Sequence, residues 1–387
     1  MSGVSSGGGA SASAAIGSSA DPHSQLMSRA LAVSRAGRYW ASPNPHVGCV
    51  LVRDGRVIAE GFTQPAGGNH AEVEALLAAG DEAKGATAYV TLEPCAHTGR
   101  TGPCVDALIA AGIAEVFVGI EDPNPLVSGA GVRALREAGI SVTVGLCADG
   151  IAAELQGFLS RMSRGWGRVR LKLATSLDGR TAMASGESQW ITSPEARSDV
   201  QELRAISSCI LTGIGTVLAD DCSLTVRSDQ LSLKGDELER ATVRQPTRVV
   251  LDTNARLPEQ ARCLEDSAPL WIMTAEGNSV PSPARVIHMP KVSDGTLDLQ
   301  AVLARLGKEG MNEILVEAGP TLAGALLRAS LVDELVIYQA PLLLGKTARS
   351  LVDLELDTLA EGVRLAYQEL RQIGPDLRIM ATLQAKD

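Results

Sequence analysis

"HAEVEALLAAGDEAKGATAYVTLEPCAHTGRTGPCVDALIAAG", running from His70 to Gly112, predicts a helix over 70–79, a strand over 87–92 and a second helix over 104–111 closed by Gly112. His70 and Glu72 are two positions apart, so on a regular helix their side chains diverge by roughly 200°. They serve one centre only if they sit at the helix start. Cys95 leaves the strand after Glu93-Pro94, and Cys104 follows Pro103 at the opening of the next helix, where the helix N-terminus favours a thiolate. An imidazole and two thiolates therefore come from the ends of three elements.

That donor set suits zinc. Three protein ligands leave the fourth tetrahedral position to water, whose pKa the metal lowers to roughly 7. A carboxylate beside that position, Glu72, would carry protons, and the chemistry that follows is hydrolytic attack on an amidine-like carbon of a nucleobase with loss of ammonia. The spacing differs from the two-His helix of metalloproteases. Any His-x-Glu or Pro-Cys arises by chance, and each fragment alone is matched by a capped helix with two buried thiols. The ordered combination selects the metal centre.

Outward toward the N-terminus, Asp21-Pro22 begins a helix with Leu26, Ala30, Leu31 and Val33 at helical spacing, ended by Gly37. "VGCVLV" and "VIAEG" flank Arg53-Asp54-Gly55-Arg56, a hairpin turn signal. Outward toward the C-terminus come a strand at 115–120, a helix at 131–138 closed by Gly139, and a strand at 140–145. Strands separated by short helices imply parallel pairing in a layered α/β domain.

Residues 146–167 read as a helical connector whose end, "SRGWGR" (163–168), supplies boundary glycines. A second α/β series follows: "VRLKLAT" (169–175), a helix from Ser193-Pro194-Glu195, "SCILTG" (208–213), "TRVVLD" (247–252), "LWIMT" (270–274) and "RVIHM" (285–289). After these come a helix near 298–306, "NEILVEAG" (312–319), a helix near 321–329 and "DELVIYQAPLLLG" (333–345). The polar stretch 228–246 is predicted to be an exposed loop.

The chain of 387 residues exceeds one ordinary core, so two domains are expected. The division is a disordered Gly/Ser/Ala extension at 1–20, a deaminase domain at 21–146, a linker at 147–167 and a second domain at 168–387. With 45% hydrophobic and 21% charged residues the composition is that of a soluble globular protein. A net charge of -10 argues against a nucleic-acid or anionic-membrane surface, so an anionic small substrate would need local arginines. Seven irregularly spaced cysteines do not make a disulfide scaffold and fit a reducing cytoplasm. No apolar run approaches the roughly 18 residues of a membrane span; "LVIYQAPLLLG" is broken by Gln339 and Pro341.

In the second half no G-x-G-x-x-G follows a strand, since "GIGTVL" (213–218) has only the first two glycines, and a Rossmann-type cofactor site is not supported. "ILVEAGPTLAGALL" (314–327) runs from a buried strand through Gly319-Pro320 into a helix whose N–H groups could hold a phosphate, although such junctions usually only connect elements. "LKLATSLDGRTA" (171–182), "GESQWIT" (186–192) and "LADDCSLTVR" (218–227) read, taken alone, as a strand with a turn, an exposed loop and a polar loop with paired acids.

From Asp21 onward the chain resembles the bifunctional deaminase/reductases of riboflavin biosynthesis. "PNPHVG" (43–48), "HAEVEAL" (70–76) and "TLEPCAHTGRTGPC" (91–104) carry the resemblance in the first half, and the segments just quoted carry it in the second. The wide gap between the cysteines departs from the two-residue gap common in zinc deaminases and matches this family. Gly102-Pro103 stands where the family has two prolines, and Cys222 where it has proline after the Asp pair.

The resemblance implies an α/β protein, with a cytidine-deaminase-like three-layer α/β/α domain followed by a dihydrofolate-reductase-like domain. It implies deamination of 2,5-diamino-6-(5-phosphoribosylamino)pyrimidin-4(3H)-one, then NADPH-dependent reduction of the ribosyl side chain to ribityl. It also implies zinc (Zn2+) on His70, Cys95 and Cys104, Glu72 as proton carrier, and Asn44 and His97 beside the pyrimidine. Read alone, His97 could equally pack or cap locally. NADPH contacts fall on Ala174, Trp190, Thr216, Asp220, Thr253 and the segment Gly319, Pro320, Thr321, Leu322, Ala323, Gly324 and Ala325. The substrate side of the reductase falls on Ser188, Arg204, Leu224, Arg227 and Glu317, with Lys172 and Asp220 as candidates for polarising or protonating the opened sugar.

Guanidinium groups at Arg204 and Arg227 suit the substrate's phosphate, although any single arginine read alone is a solvated surface charge. A homo-oligomer, dimer or larger, is expected. Two other readings remain: a tRNA deaminase with a C-terminal binding domain, and a non-catalytic zinc- and nucleotide-sensing regulator. Net charge and an aromatic content of 3% oppose the first, and Glu72 beside an open ligand position opposes the second.

Overall fold

The computed structural model describes residues 21–97, 102–124, 128–280 and 283–384, and the 1–20 extension lies outside them. Helix α1 (Pro22–Ser34) starts where expected: Asp21 caps it by accepting from the Ser24 N–H, with proline in the first turn. Strands β1 (Gly48–Arg53) and β2 (Arg56–Phe62) form the predicted antiparallel pair, and the turn between them places Asp54 at φ 51° and Gly55 at φ 74°. The alternation then runs α2 (Ala71–Ala79), β3 (Thr87–Leu92), α3 (Cys104–Ala110), β4 (Glu115–Ile120), α4 (Ala130–Glu137) and β5 (Ser141–Val144).

The five strands are ordered β2-β1-β3-β4-β5, with β3, β4 and β5 parallel. Helices cover both faces, and two glycines show how closely they approach. A Cβ on Gly48 would lie 2.0 Å from the Ala30 carbonyl of α1, and one on Gly61 would lie 2.2 Å from the Ala71 carbonyl of α2. Gly61 pairs with Cys49, the neighbour of Gly48 on β1, so the two contacts are on opposite faces. This is the three-layer α/β/α arrangement.

The connector forms α5 (Ala148–Glu154) and α6 (Gln156–Arg164), the latter closed by Gly165 at φ 91°. Ile151, Leu155 and Phe158 are buried in the core of the first domain, so these helices pack as part of it.

The second domain contains β6 (Arg168–Ser176), β7 (Arg180–Ala182), α7 (Pro194–Ile206), β8 (Cys209–Gly213), α8 (Ile214–Asp220), α9 (Gly235–Thr242), β9 (Thr247–Leu251), β10 (Leu270–Ala275) and β11 (Arg285–Met289). It continues with α10 (Leu299–Lys308), β12 (Glu313–Glu317), α11 (Pro320–Arg328), β13 (Glu334–Ala340), β14 (Arg349–Ser350), β15 (Leu365–Ile373) and β16 (Asp376–Leu383). Nine strands make one sheet, ordered β11-β10-β9-β8-β12-β6-β13-β16-β15, while β7 and β14 form a small ribbon. Pairing is parallel from β11 to β13 and antiparallel through β16 and β15.

Several features differ from the sequence reading, among them helix α8, for which no element was predicted. The stretch 228–246, expected to be an exposed loop, contains α9, whose first turn carries Asp236 and Glu237 where the helix dipole favours acids. Its side chains are polar because it buries little: Ala241 packs with Tyr39, Ala205 and Val226, and Glu237 accepts from the Tyr39 hydroxyl at 2.9 Å. The β15–β16 hairpin, for which no element was predicted, finishes the sheet with an edge strand that leaves Tyr367 and Leu370 exposed. Among the described residues no helix is long and apolar enough to cross a membrane.

Candidate metal centre and reductase cleft

His70 occupies the N-cap of α2 in extended backbone, so its ring leaves the helix axis and Glu72 falls in the first turn. Cys104 is the first residue of α3, and its N–H donates to the Cys95 sulfur at 3.4 Å. His70 Nδ1 lies 3.2 Å from Cys104 Sγ and 3.6 Å from Cys95 Sγ, and all three ligand atoms are within 4.8 Å of one another. On a tetrahedron with ordinary zinc–sulfur and zinc–nitrogen bond lengths such edges are about 3.5–3.8 Å. The residues present therefore fit zinc, with three ligands and one open position.

Glu93 aims Cys95. Its buried carboxylate accepts from the N–H groups of Asp122 (3.1 Å), Gly129 (3.0 Å), Gly131 (2.9 Å) and Val132 (3.1 Å), pinning the strand exit to the start of α4. Gly131 permits that approach, since a Cβ there would lie 2.0 Å from the Pro94 carbonyl.

The electrostatics suit a metal. Hydrogen bonding from Cys104, then from His70, draws the Cys95 thiol down to about 4 against the effect of burial. The Cys104 thiol is pushed up by that shared hydrogen bond and by burial. Burial pushes the Glu72 carboxyl up, with His70 opposing. Glu72 is only 3% exposed, a buried acid beside the ligand set.

His70, Glu72 and Cys95 floor a cavity of about 230 Å3 walled by Pro43, Asn44 and Pro45. His97 is exposed at its rim. Asp122, Phe158, Arg161 and Met162 also line it and were not anticipated. Three of them come from α6, a segment read only as a connector, and no local motif marks them.

The second group of expected residues gathers at the carboxyl ends of parallel strands, where open α/β sheets bind ligands. Ala174 and Lys172 are on β6, Thr216 and Asp220 on α8 after β8, Thr253 after β9, and Glu317 at the end of β12. Glu317 and Lys172 are register partners on adjacent strands. Arg204 of α7 grips Glu317 with both prongs, at 2.6 and 2.9 Å, and donates to the Thr225 carbonyl at 2.9 Å. Burial would raise the Glu317 carboxyl, yet Arg204, then Lys172 and Arg227, hold it below the usual carboxylate range. Burial lowers Lys172, helped by Arg204 and opposed by Glu317 and Asp220.

Arg204 is thus committed to a carboxylate, whereas Arg227 forms no salt bridge among the described residues, and burial and Arg204 both lower its pKa. Of the two arginines expected at the phosphate, Arg227 is the one without a carboxylate partner among the described residues. Ser188 donates to Asp220 at 3.2 Å, and Trp190 lies exposed under Arg197 at 4.4 Å. Leu224 is 2% exposed and packs with Ile210 and Leu315, so its side chain belongs to the core and is not presented to the cleft.

At the start of α11 the Gly319 N–H donates to the Thr216 hydroxyl at 3.3 Å. A Cβ on Gly319 would meet nothing nearer than that hydroxyl at 3.9 Å, and one on Gly215 would meet nothing within 4 Å. The first turn of a helix leaves N–H groups without intrahelical partners, here at Thr321 and Leu322. This open cradle fits a nucleotide phosphate. Further along, Ala323 and Gly324 are buried, and a Cβ on Gly324 would come 2.1 Å from the Asp353 carbonyl, so these two face protein.

Two family models match the chain: the cytidine and deoxycytidylate deaminase zinc-binding region over residues 20–120, and the RibD C-terminal domain over residues 168–379. The riboflavin biosynthesis protein RibD of Escherichia coli is 51% identical over 355 residues, covering 91% of this chain and 96% of that one. Its counterpart in Haemophilus influenzae is 48% identical, covering 92% and 96%. Among solved structures, Acinetobacter baumannii RibD in form 1 superposes with a TM-score of 0.85 at 44% identity, covering 94% of this chain and 99% of that one. A deaminase/reductase from Thermotoga maritima gives 0.83 at 31% identity with the same coverage.

Proposed function

The chain belongs to the RibD family of riboflavin-biosynthesis enzymes, which join a pyrimidine deaminase to a reductase, and on that premise we propose how its own residues divide the work. It is a bifunctional enzyme: zinc-dependent deamination of the diaminopyrimidinone ribosyl phosphate is followed by NADPH-dependent reduction of the ribosyl to the ribityl side chain.

The deaminase domain spans 21–146, the connector 147–167 and the reductase 168–387. His70, Cys95 and Cys104 hold zinc, which when bound supplies the Lewis acidity that makes water a nucleophile at neutral pH. Glu72 moves the proton at its carboxylate between the attacking water and the departing amino group. Asn44 and His97 bind the pyrimidine, and the two prolines flanking Asn44 exclude water from its faces. Convergence of the three ligand atoms beside the buried Glu72 carries this reading.

In the reductase, NADPH supplies the hydride. Ala174, Trp190, Thr216, Asp220, Thr253 and, of the segment from Gly319 to Ala325, its exposed first turn bind it, the first-turn N–H groups taking a phosphate while Ala323 and Gly324 pack behind it. Ser188, Leu224 through its backbone, Arg227 and Glu317 hold the substrate, with Arg227 on its phosphate and Arg204 orienting Glu317. Lys172 and Asp220 polarise or protonate the opened sugar, a role that the register pairing of Lys172 with Glu317 supports.

Seven cysteines without a disulfide support a reducing cytoplasm, and the working form is a homo-oligomer, dimer or larger. A net charge of -10 leaves no support for the tRNA-deaminase reading, and membership of an enzyme family leaves none for the regulator. The deciding experiment is metal analysis with two activity assays, ammonia release from the diaminopyrimidinone and NADPH oxidation with the deaminated product. Zinc-dependent ammonia release and zinc-independent NADPH oxidation are expected. Undiminished ammonia release from zinc-free protein would overturn the metal assignment.

A further inference from the structure

The segment Ser42–Asn44 presents Pro43 and Asn44 to the deaminase cavity, yet the Ser42 hydroxyl and the Pro43 and Asn44 carbonyls are held by the connector helix α6 and the second domain. Asn312, just ahead of β12 in the second domain, donates through Nδ2 to the Pro43 carbonyl at 3.1 Å and reaches the Asn44 carbonyl at 3.5 Å. Arg161 of α6 donates to the same Pro43 carbonyl at 2.9 Å and to Asn312 Oδ1 at 2.6 Å. The Ser42 hydroxyl lies 2.9 Å from that of Ser208, which itself accepts from the Asn312 and Glu313 N–H groups at 3.1 Å each. Gly310 completes the seat, since a Cβ there would fall 2.6 Å from Pro43 Cβ.

Asn312 is buried at 6% exposure, and its amide is used at both ends, accepting from Arg161 and donating to the segment. Arg161 forms no salt bridge among the described residues, donates its hydrogen bonds to Asn312 and Pro43, and lines the cavity itself. Buried polar side chains whose hydrogen bonds end on a loop's backbone carbonyls fix where that loop sits, whatever its own side chains are. Glu317, which the reductase uses, stands at the opposite end of β12.

We infer that Asn312 is a positioning residue for deamination: the reductase domain sets the pyrimidine-binding segment of the deaminase through the Asn312–Arg161 pair. The inference rests on the proposed role of Asn44 at the pyrimidine. The second domain then helps to set the geometry in which the first domain holds its pyrimidine.

The test uses the full-length chain carrying Asn312→Ala or Asn312→Asp, with zinc content, ammonia release and NADPH oxidation measured on each. Asn312→Asp keeps the size and the oxygen that faces Arg161 but sets a carboxylate oxygen against the two carbonyls. Both variants should retain zinc and reduce the deaminated substrate within about twofold of wild type, while kcat/KM for deamination falls at least about tenfold, carried mainly by KM. Parallel loss of both activities would show that Asn312 serves the fold and overturns the inference, as does Asn312→Asp behaving like wild type while Asn312→Ala is impaired. Unchanged deamination in both variants beside an active wild type overturns the positioning role and leaves the zinc chemistry standing; an inactive zinc-loaded wild type overturns both.

Discussion

The metal centre and the reductase cleft are built on different scales. His70 and Cys104 are 34 positions apart, and their juxtaposition needs only a helix start, a strand exit and the next helix start. Arg204 and Glu317 are 113 positions apart and meet because the sheet order sets β12 between β8 and β6. A site assembled from neighbouring element ends concentrates its chemistry in a readable motif. A site assembled by topology spreads it over residues that look ordinary one at a time.

The hardest test of that separation is Glu72→Gln. Deamination kcat should fall about 10²–10⁴-fold, the usual worth of a positioned proton carrier, with zinc content and NADPH oxidation unchanged. Loss of NADPH oxidation as well would mean the two sites are not separate. Arg204→Ala probes the other scale. It removes both hydrogen bonds to the Glu317 carboxylate and leaves only the nearby charges of Lys172 and Arg227 to offset it; removing one partner of a buried pair costs about 3–5 kcal/mol. Thermal unfolding of the second domain should shift down and reduction should be lost while ammonia release persists. A fully stable variant would show that Glu317 is wetter than its 12% side-chain exposure implies.

Arg227→Ala should act more gently, raising KM for the reductase substrate about tenfold through one lost charge-assisted contact and leaving KM for NADPH in place. An equal rise in both would move Arg227 from the substrate to the cofactor. The smallest expected effect lies at the seam between α1 and α5. There Arg35 at 3.1 Å and His46 at 3.6 Å hold the Glu154 carboxyl down to about 2, although burial alone would raise it. A depressed folded value stabilises the protein above the unfolded carboxylate range, near 4.3, and that stabilisation is lost as pH falls toward 2. Urea midpoints of Glu154→Gln should trail wild type at about pH 5 and converge with it as pH falls from about 4 toward 2. A gap that widens below about pH 4 would reverse the sign.

The same contrast explains what the sequence disclosed. The Asp54-Gly55 turn, the Asp21 and Ser193 caps and the His70 N-cap are decided within a few residues, and all appear where their side-chain chemistry puts them. Helix α9 escaped because Ala241 is its one buried residue, too little for an apolar period to register. The β15–β16 hairpin escaped because an edge strand with outward Tyr367 and Leu370 carries no clean alternation. Within the sites, His70, Glu72, Cys95 and Cys104 were legible as a motif. Arg161 and Asn312 were not, because they act on backbone carbonyls more than a hundred positions away, and a carbonyl leaves no mark on a sequence.

Strand β12 is five residues long, with Asn312 immediately before it and Glu317 as its last residue. It works as a ruler laid between the two chemistries. Because strand side chains alternate faces, inserting or deleting one residue would turn every later side chain over, withdrawing Glu317 from Arg204 or Asn312 from Pro43. A single-codon change in the strand's length would therefore set one chemistry out of step with the other.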